Sequence, residues 1–103
     1  MPDFIFAYHG GKKPETEAEG AEMMQRWRTW METNGAAFVE PGNPVGMSKT
    51  VSSSGVEDHG GANPLSGYSI LKGDTIDDVI AIAKSCPHLD MGTIEIAEVI
   101  QMG

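Results

Sequence analysis

A single cysteine, Cys86, leaves the chain without a partner for an internal disulfide, so the fold cannot rest on a cross-link and a reducing compartment is expected. Basic residues are scarce. Seven Lys and Arg stand against fifteen Asp and Glu, a formal net charge of −8. That field opposes a phosphate backbone and an anionic membrane surface, and neither nucleic acid nor membrane is expected as a partner. No apolar run approaches the roughly 20 residues that cross a bilayer. Met1 to Phe6 also lacks the basic-then-apolar layout of a secretion signal, so the cytoplasm is the expected location. The glycine patterns of nucleotide-binding loops and the nucleophile elbow are missing, which leaves no cofactor to expect. Cys86-Pro87-His88-Leu89-Asp90 alternates thiol, imidazole and carboxylate, yet one Cys and three dispersed His cannot supply four structural zinc ligands. No metal is expected.

What is present suits an ordinary globular unit: 103 residues, 40% hydrophobic and 21% charged, enough for one domain over residues 1–103. Residues 3–9 alternate, with Phe4, Phe6 and Tyr8 on one side and Ile5, Ala7 and His9 on the other, which predicts a strand. A Gly10-to-Pro14 turn follows, and Thr16-x-x-Glu19 has the form of a capping box, so a helix is predicted from near Glu15. Met23, Met24, Trp27, Trp30 and Met31 form its apolar stripe, and Asn34-Gly35 predicts a left-handed stop.

Residues 36–40 allow a second strand that Pro41-Gly42-Asn43-Pro44 should break. Residues 47–56 are polar and β-permissive, and residues 57–64 are rich in turn formers. Residues 67–72 read as a strand. Thr75-x-x-Asp78 then caps a helix with Ile76, Val79, Ile80 and Ala83 in register, which Pro87 ends. A last strand over residues 93–102 carries Ile94, Ile96, Ile100 and Met102 on one face, interrupted by Glu98, with Thr93, Glu95, Ala97 and Val99 on the other. The order is the β-α-β-β-α-β of a ferredoxin-like α+β fold with helices on one sheet face. The other face is apolar enough to need a cover, which predicts a homodimer.

Gly67-Tyr68-Ser69-Ile70, Thr75-Ile76-Asp77-Asp78-Val79, Ala83-Lys84-Ser85-Cys86-Pro87-His88-Leu89 and Gly92-Thr93-Ile94-Glu95-Ile96 together resemble the YCII-related family. Trp27 with Asn34-Gly35 is similar to the first helix of its DGPF branch, and Glu57-Asp58-His59-Gly60-Gly61 falls where that branch carries its Asp-Gly-Pro-Phe loop. The resemblance implies a dimeric α/β barrel and an association with alternative sigma factors. It implies little about chemistry, since the helix His and pre-proline Asp of YCII proper are Met24 and Cys86 here, and the family's Arg-Pro is Ala97-Glu98.

Four residues are candidates for catalysis. His9 ends a strand beside glycines, where imidazole can reach a cleft; a surface histidine at a strand end is the plainer alternative. Asp58-His59 offers a base and an orienting carboxylate in a glycine-bracketed loop that also reads as a solvated turn. Glu98, if inside a barrel, would complete an acid–base pair with His9. Trp27 and Tyr68 are candidates for lining a ligand site, although Trp27 and Trp30 also fit a buried stripe. Two functions follow: a protein that binds a small molecule or performs cofactor-independent chemistry in a dimer cleft, or a regulatory interaction module linked to stress or sigma-factor transcription. A heme- or quinone-handling monooxygenase relationship rests on shared architecture alone.

Overall fold

The computed structural model describes residues 1–11 and 14–102; Lys12 and Lys13 of the expected Gly10-to-Pro14 turn lie outside the described residues. Strand β1 (Asp3–Gly10) buries Phe4, Phe6 and Tyr8 and turns Ile5, Ala7 and His9 the other way, as its alternation requires. Helix α1 (Glu17–Thr33) starts where the Thr16 hydroxyl accepts the Glu19 N–H at 3.1 Å. The Glu19 carboxylate reaches back to the N–H of Glu15 at 2.9 Å, one residue beyond the usual capping-box partner.

Trp30 is the buried residue of α1, and its indole N–H donates to the Ile82 carbonyl at 3.1 Å, tying the first helix to the second. Met23, Trp27 and Met31 are half-buried and Met24 is exposed, so the apolar stripe is narrower than expected. The helix also stops differently. The Asn34 side chain donates to the Trp30 carbonyl at 2.9 Å, and residues Gly35–Ala37 continue as a 3-10 turn without a positive φ at Gly35. The amide caps the helix, so the glycine is not needed in a left-handed conformation.

Strand β2 (Phe38–Pro44) runs through the two prolines expected to break it. It is an edge strand, where a missing N–H can face outward at no loss to the ladder. Its register shifts on either side of Glu40, and Gly42 sits there at φ +78°, against the Tyr68 carbonyl, where a Cβ would fall 1.7 Å from the oxygen. A short hairpin, β3 (Thr50–Ser52) and β4 (Gly55–Glu57), pairs Val51 with Val56 as a separate two-stranded sheet.

Strand β5 (Leu65–Lys72) buries Gly67, Ser69 and Leu71 and returns antiparallel to both β1 and β2. Helix α2 (Ile76–Ala83) has the full reciprocal capping box of Thr75 and Asp78 and buries Val79 and Ala83. After a 3-10 turn (Pro87–Asp90), strand β6 (Gly92–Glu98) pairs with β1. It is shorter than expected: the Val99 N–H makes a last bond to the Asp3 carbonyl at 2.8 Å, and Ile100 and Met102 beyond it are exposed. The main sheet has the order β2-β5-β1-β6, all antiparallel, which is the ferredoxin-like α+β topology with the β3-β4 hairpin inserted. Phe4, Phe6, Tyr8, Trp30, Leu71, Val79, Ala83 and Cys86 form the core between the helices and one sheet face. Ile5, Ala7, His9, Tyr68, Ile70, Glu95 and Ala97 occupy the helix-free face, all of them partly or fully exposed.

Candidate functional site

His9 stands at the end of β1 on the helix-free face, just past a shift in the β1-β5 register between Tyr8 and His9. Across β6 it faces Thr93, which makes Glu95 a same-face diagonal neighbour. The ring Nε2 lies 3.0 Å from Glu95 Oε1, and Nδ1 lies 3.2 Å from the Asn63 carbonyl. A carbonyl and a carboxylate only accept, so both contacts are hydrogen bonds together when the ring is doubly protonated; a neutral ring makes one of them. The His9 side chain is 24% exposed and that of Glu95 73%, a sheltered imidazole beside a carboxylate free to move.

The loop before β5 closes one side of this group. Asn63 Nδ2 donates to Thr93 Oγ1 at 3.2 Å, and the Gly10 N–H donates to the Pro64 carbonyl at 2.7 Å. Behind the sheet, His88 is buried with its ring edge toward Tyr8 at 5.4 Å, and its Nε2–H donates to the His9 carbonyl at 2.9 Å. That approach requires glycine at position 92, where a Cβ would lie 2.2 Å from the His9 oxygen and 2.6 Å from His88 Nε2. The backbone that carries His9 is thus held from Pro64 and His88, and its ring from Asn63.

The other expected groupings do not form. Glu98 pairs with Phe4 in the β1-β6 register, so it lies on the helix-side row at the far end of the strand and not beside His9. Asp58 accepts from Lys49 Nζ at 3.1 Å, while His59 Nδ1 accepts the Gly61 N–H at 3.0 Å; the two belong to an exposed loop and make no contact with each other as base and orienting carboxylate. Trp27 packs edge-to-face on Tyr8 and Trp30, at 5.4 Å to each, on the helix side. Tyr68 is half-buried on the opposite face, next to Ala7 and Asn43, so the sheet separates the two candidate lining residues.

Sequence reading missed Glu95 and Asn63. Glu95 was legible in part, because His9 lies off the Phe4-Phe6-Tyr8 row and Glu95 off the Ile94-Ile96 row, which puts both on the helix-free side once β1 and β6 pair. Asn63 contributes its main chain, and no side-chain pattern announces that.

Grooves of ≈ 370 Å³, beside Arg26, Thr29, Trp30, Asn34 and Pro87, and ≈ 270 Å³, beside Glu22, Met23, Arg26, Asp90 and Met91, flank α1 and do not reach His9. Burial pushes the Cys86 thiol up from 9.0 to about 11, against the lowering pull of the His88 N–H and of Arg26, so it is no thiolate at neutral pH. Burial also raises the Tyr8 phenol far above its ordinary range, with Ser69 opposing through a hydrogen bond. Among the described residues no three His, Cys, Asp or Glu stand together to hold a metal ion, and no helix is long and apolar enough to cross a membrane.

No protein-family model matches this chain, and no curated protein matches it. Among solved structures it is similar to 5-chloro-2-hydroxyhydroquinone dehydrochlorinase from Burkholderia phenoliruptrix AC1100, determined in complex with 2,5-dihydroxybenzoquinone. The match has a TM-score of 0.59 at 12% identity and covers 98% of this chain and 95% of that one, which establishes likeness of fold from end to end.

Proposed function

We propose that this chain is a cytoplasmic, YCII-related (DGPF-like) domain over residues 1–103 that homodimerises as an α/β barrel. It binds a small enolisable or hydroxylated molecule on the helix-free face, with His9 as the proton acceptor. The observation that carries the reading is the His9–Glu95 contact at 3.0 Å on that face, with Nδ1 anchored on the Asn63 carbonyl. In the neutral ring, an Nδ1–H donated to Asn63 leaves a lone pair on Nε2 and no proton there for Glu95 to accept, so the exposed carboxylate swings aside and admits the substrate to Nε2. A substrate O–H or acidic C–H gives its proton to Nε2, the bonding electron pair stays on the substrate as an enolate, and Glu95 faces the imidazolium so formed. No cofactor enters that step. Tyr68 and Ile70 on the same face offer apolar contact to a planar ring. The hydroxyquinone bound by the fold neighbour suggests the ligand class.

Titration of the ¹⁵N-labelled chain with 2,5-dihydroxybenzoquinone tests the reading by NMR. Shifts are expected at His9, Tyr68 and Glu95, with affinity reduced roughly 10-fold or more in His9→Asn and Glu95→Gln. Shifts confined to the α1 grooves, or none, would sink it. The regulatory-module reading draws on different features, the largely exposed loop over residues 57–64 and the acidic first turn of α1, and predicts a macromolecular partner there.

A further inference from the structure

We infer that the β3-β4 hairpin is a dimer arm whose occupant surface is a second copy of this chain. Residues 49–59 are all exposed, including Val51 at 75% and Val56 at 61%, which face each other across the hairpin. Two strands of three residues each make a hairpin that is marginal alone in water and gains stability from a surface to lie on. Its strands pair with each other and with neither neighbouring edge of the main sheet. Its two legs are tied to each other at the base, by Lys49 to Asp58 at 3.1 Å and by the Thr50 hydroxyl to the His59 carbonyl at 2.9 Å. A hairpin closed at its base, with two exposed valines paired at mid-strand, is the build of an arm.

Area identifies what it reaches. The chain exposes 7118 Å², whereas a compact monomer of 11.0 kDa is expected to expose about 5600 Å². The difference, about 1500 Å², is what each protomer of an obligate homodimer commonly gives up. The radius of gyration agrees: 14.9 Å against about 13 Å for a compact chain of this length. Charge agrees too. Residues 45–63 carry Lys49 against Glu57 and Asp58, so almost all of the net −8 lies elsewhere, and the arm is where a like-charged copy is repelled least.

The inference rests on the dimer proposed above, and one set of samples separates the two. Sedimentation of the unaltered chain is expected to give a dimer, and Val51→Asp with Val56→Asp to raise its dissociation constant roughly 100-fold, as two valines lose an apolar contact. The arm pairs only with itself, so the variant's NMR spectrum should keep the dispersion of the folded body. A nitroxide on Ser53→Cys is expected to label cleanly, because Cys86 is buried and protonated, and to broaden signals of an unlabelled ¹⁵N partner in mixed samples. A folded variant that still dimerises with an unchanged constant, or no broadening between chains, overturns the arm alone. An unaltered chain that sediments at 11.0 kDa overturns the dimer and the arm together, leaving the ligand titration at His9 to stand or fall separately.

Discussion

His9 is fixed less by its side chain than by its carbonyl, and the residue responsible, His88, lies on the other side of the sheet. Truncating a buried imidazole that donates to a main-chain carbonyl leaves that carbonyl without its donor, at about 1 to 3 kcal/mol. His88→Ala is therefore expected to lower stability by that amount, and to broaden or split the His9 ring signals as the Tyr8–His9 register shift loosens. His88→Gln keeps a donor and should restore part of both; equal loss in the two variants would show that ring packing on Tyr8, not the hydrogen bond, holds the turn.

Cys86 supports a second residue-level expectation. Folding raises its thiol from 9.0 to about 11, so the folded state holds the proton more tightly than the unfolded chain. The resulting stability is fully present below pH 9, drains as pH rises toward 11, and amounts to about 2 to 3 kcal/mol. Urea unfolding between pH 8 and 10 should show the onset of that decline and Cys86→Ala should flatten it there, while above pH 10 the Tyr8 phenol, also raised by burial, adds a decline of its own in both proteins.

At the scale of elements, what was legible in the sequence is what local patterns dictate. The alternation of β1 and β5 and the Thr75–Asp78 box sit where they were expected, because each is decided by neighbours within a few residues. The misses share another cause: position in the sheet overrode a local signal. Pro41 and Pro44 read as breakers, yet an edge strand tolerates them, and only pairing to β5 makes β2 an edge. Residues 99–102 continue the apolar alternation of β6, yet β1 begins at Asp3 and offers no further ladder, so the strand stops at Glu98. Asn34 stops α1 by itself, which left Gly35 free to do something else. The site shows the same division. His9 could be picked from its strand end, whereas its partner Glu95 follows from register, and the rejected partner Glu98 differs from it by an odd number of residues and so by sheet face.

The whole molecule measures 46 × 40 × 18 Å, a slab of one helical layer on one sheet, with its second sheet face carrying Ile5, Ile70 and Tyr68 as well as the His9–Glu95 pair. The second copy proposed above would cover apolar surface on such a slab and bring with it a second charge of −8. The two contributions respond differently to conditions. Burial of apolar area changes little with modest salt, whereas repulsion between two acidic chains weakens as the Debye length falls from about 30 Å at 0.01 M to about 8 Å at 0.15 M. Dimerisation is therefore expected to tighten as NaCl rises from 10 to 150 mM and as pH falls from 7.5 toward the isoelectric region near 4.6, where acidic groups lose charge. Sedimentation across that grid reads both slopes. An association that weakens with added salt would mean that opposite charges meet across the contact, which the near-neutral arm and the mixed helix-free face do not supply, and the interface would then have to be sought on the acidic first turn of α1 against a basic patch.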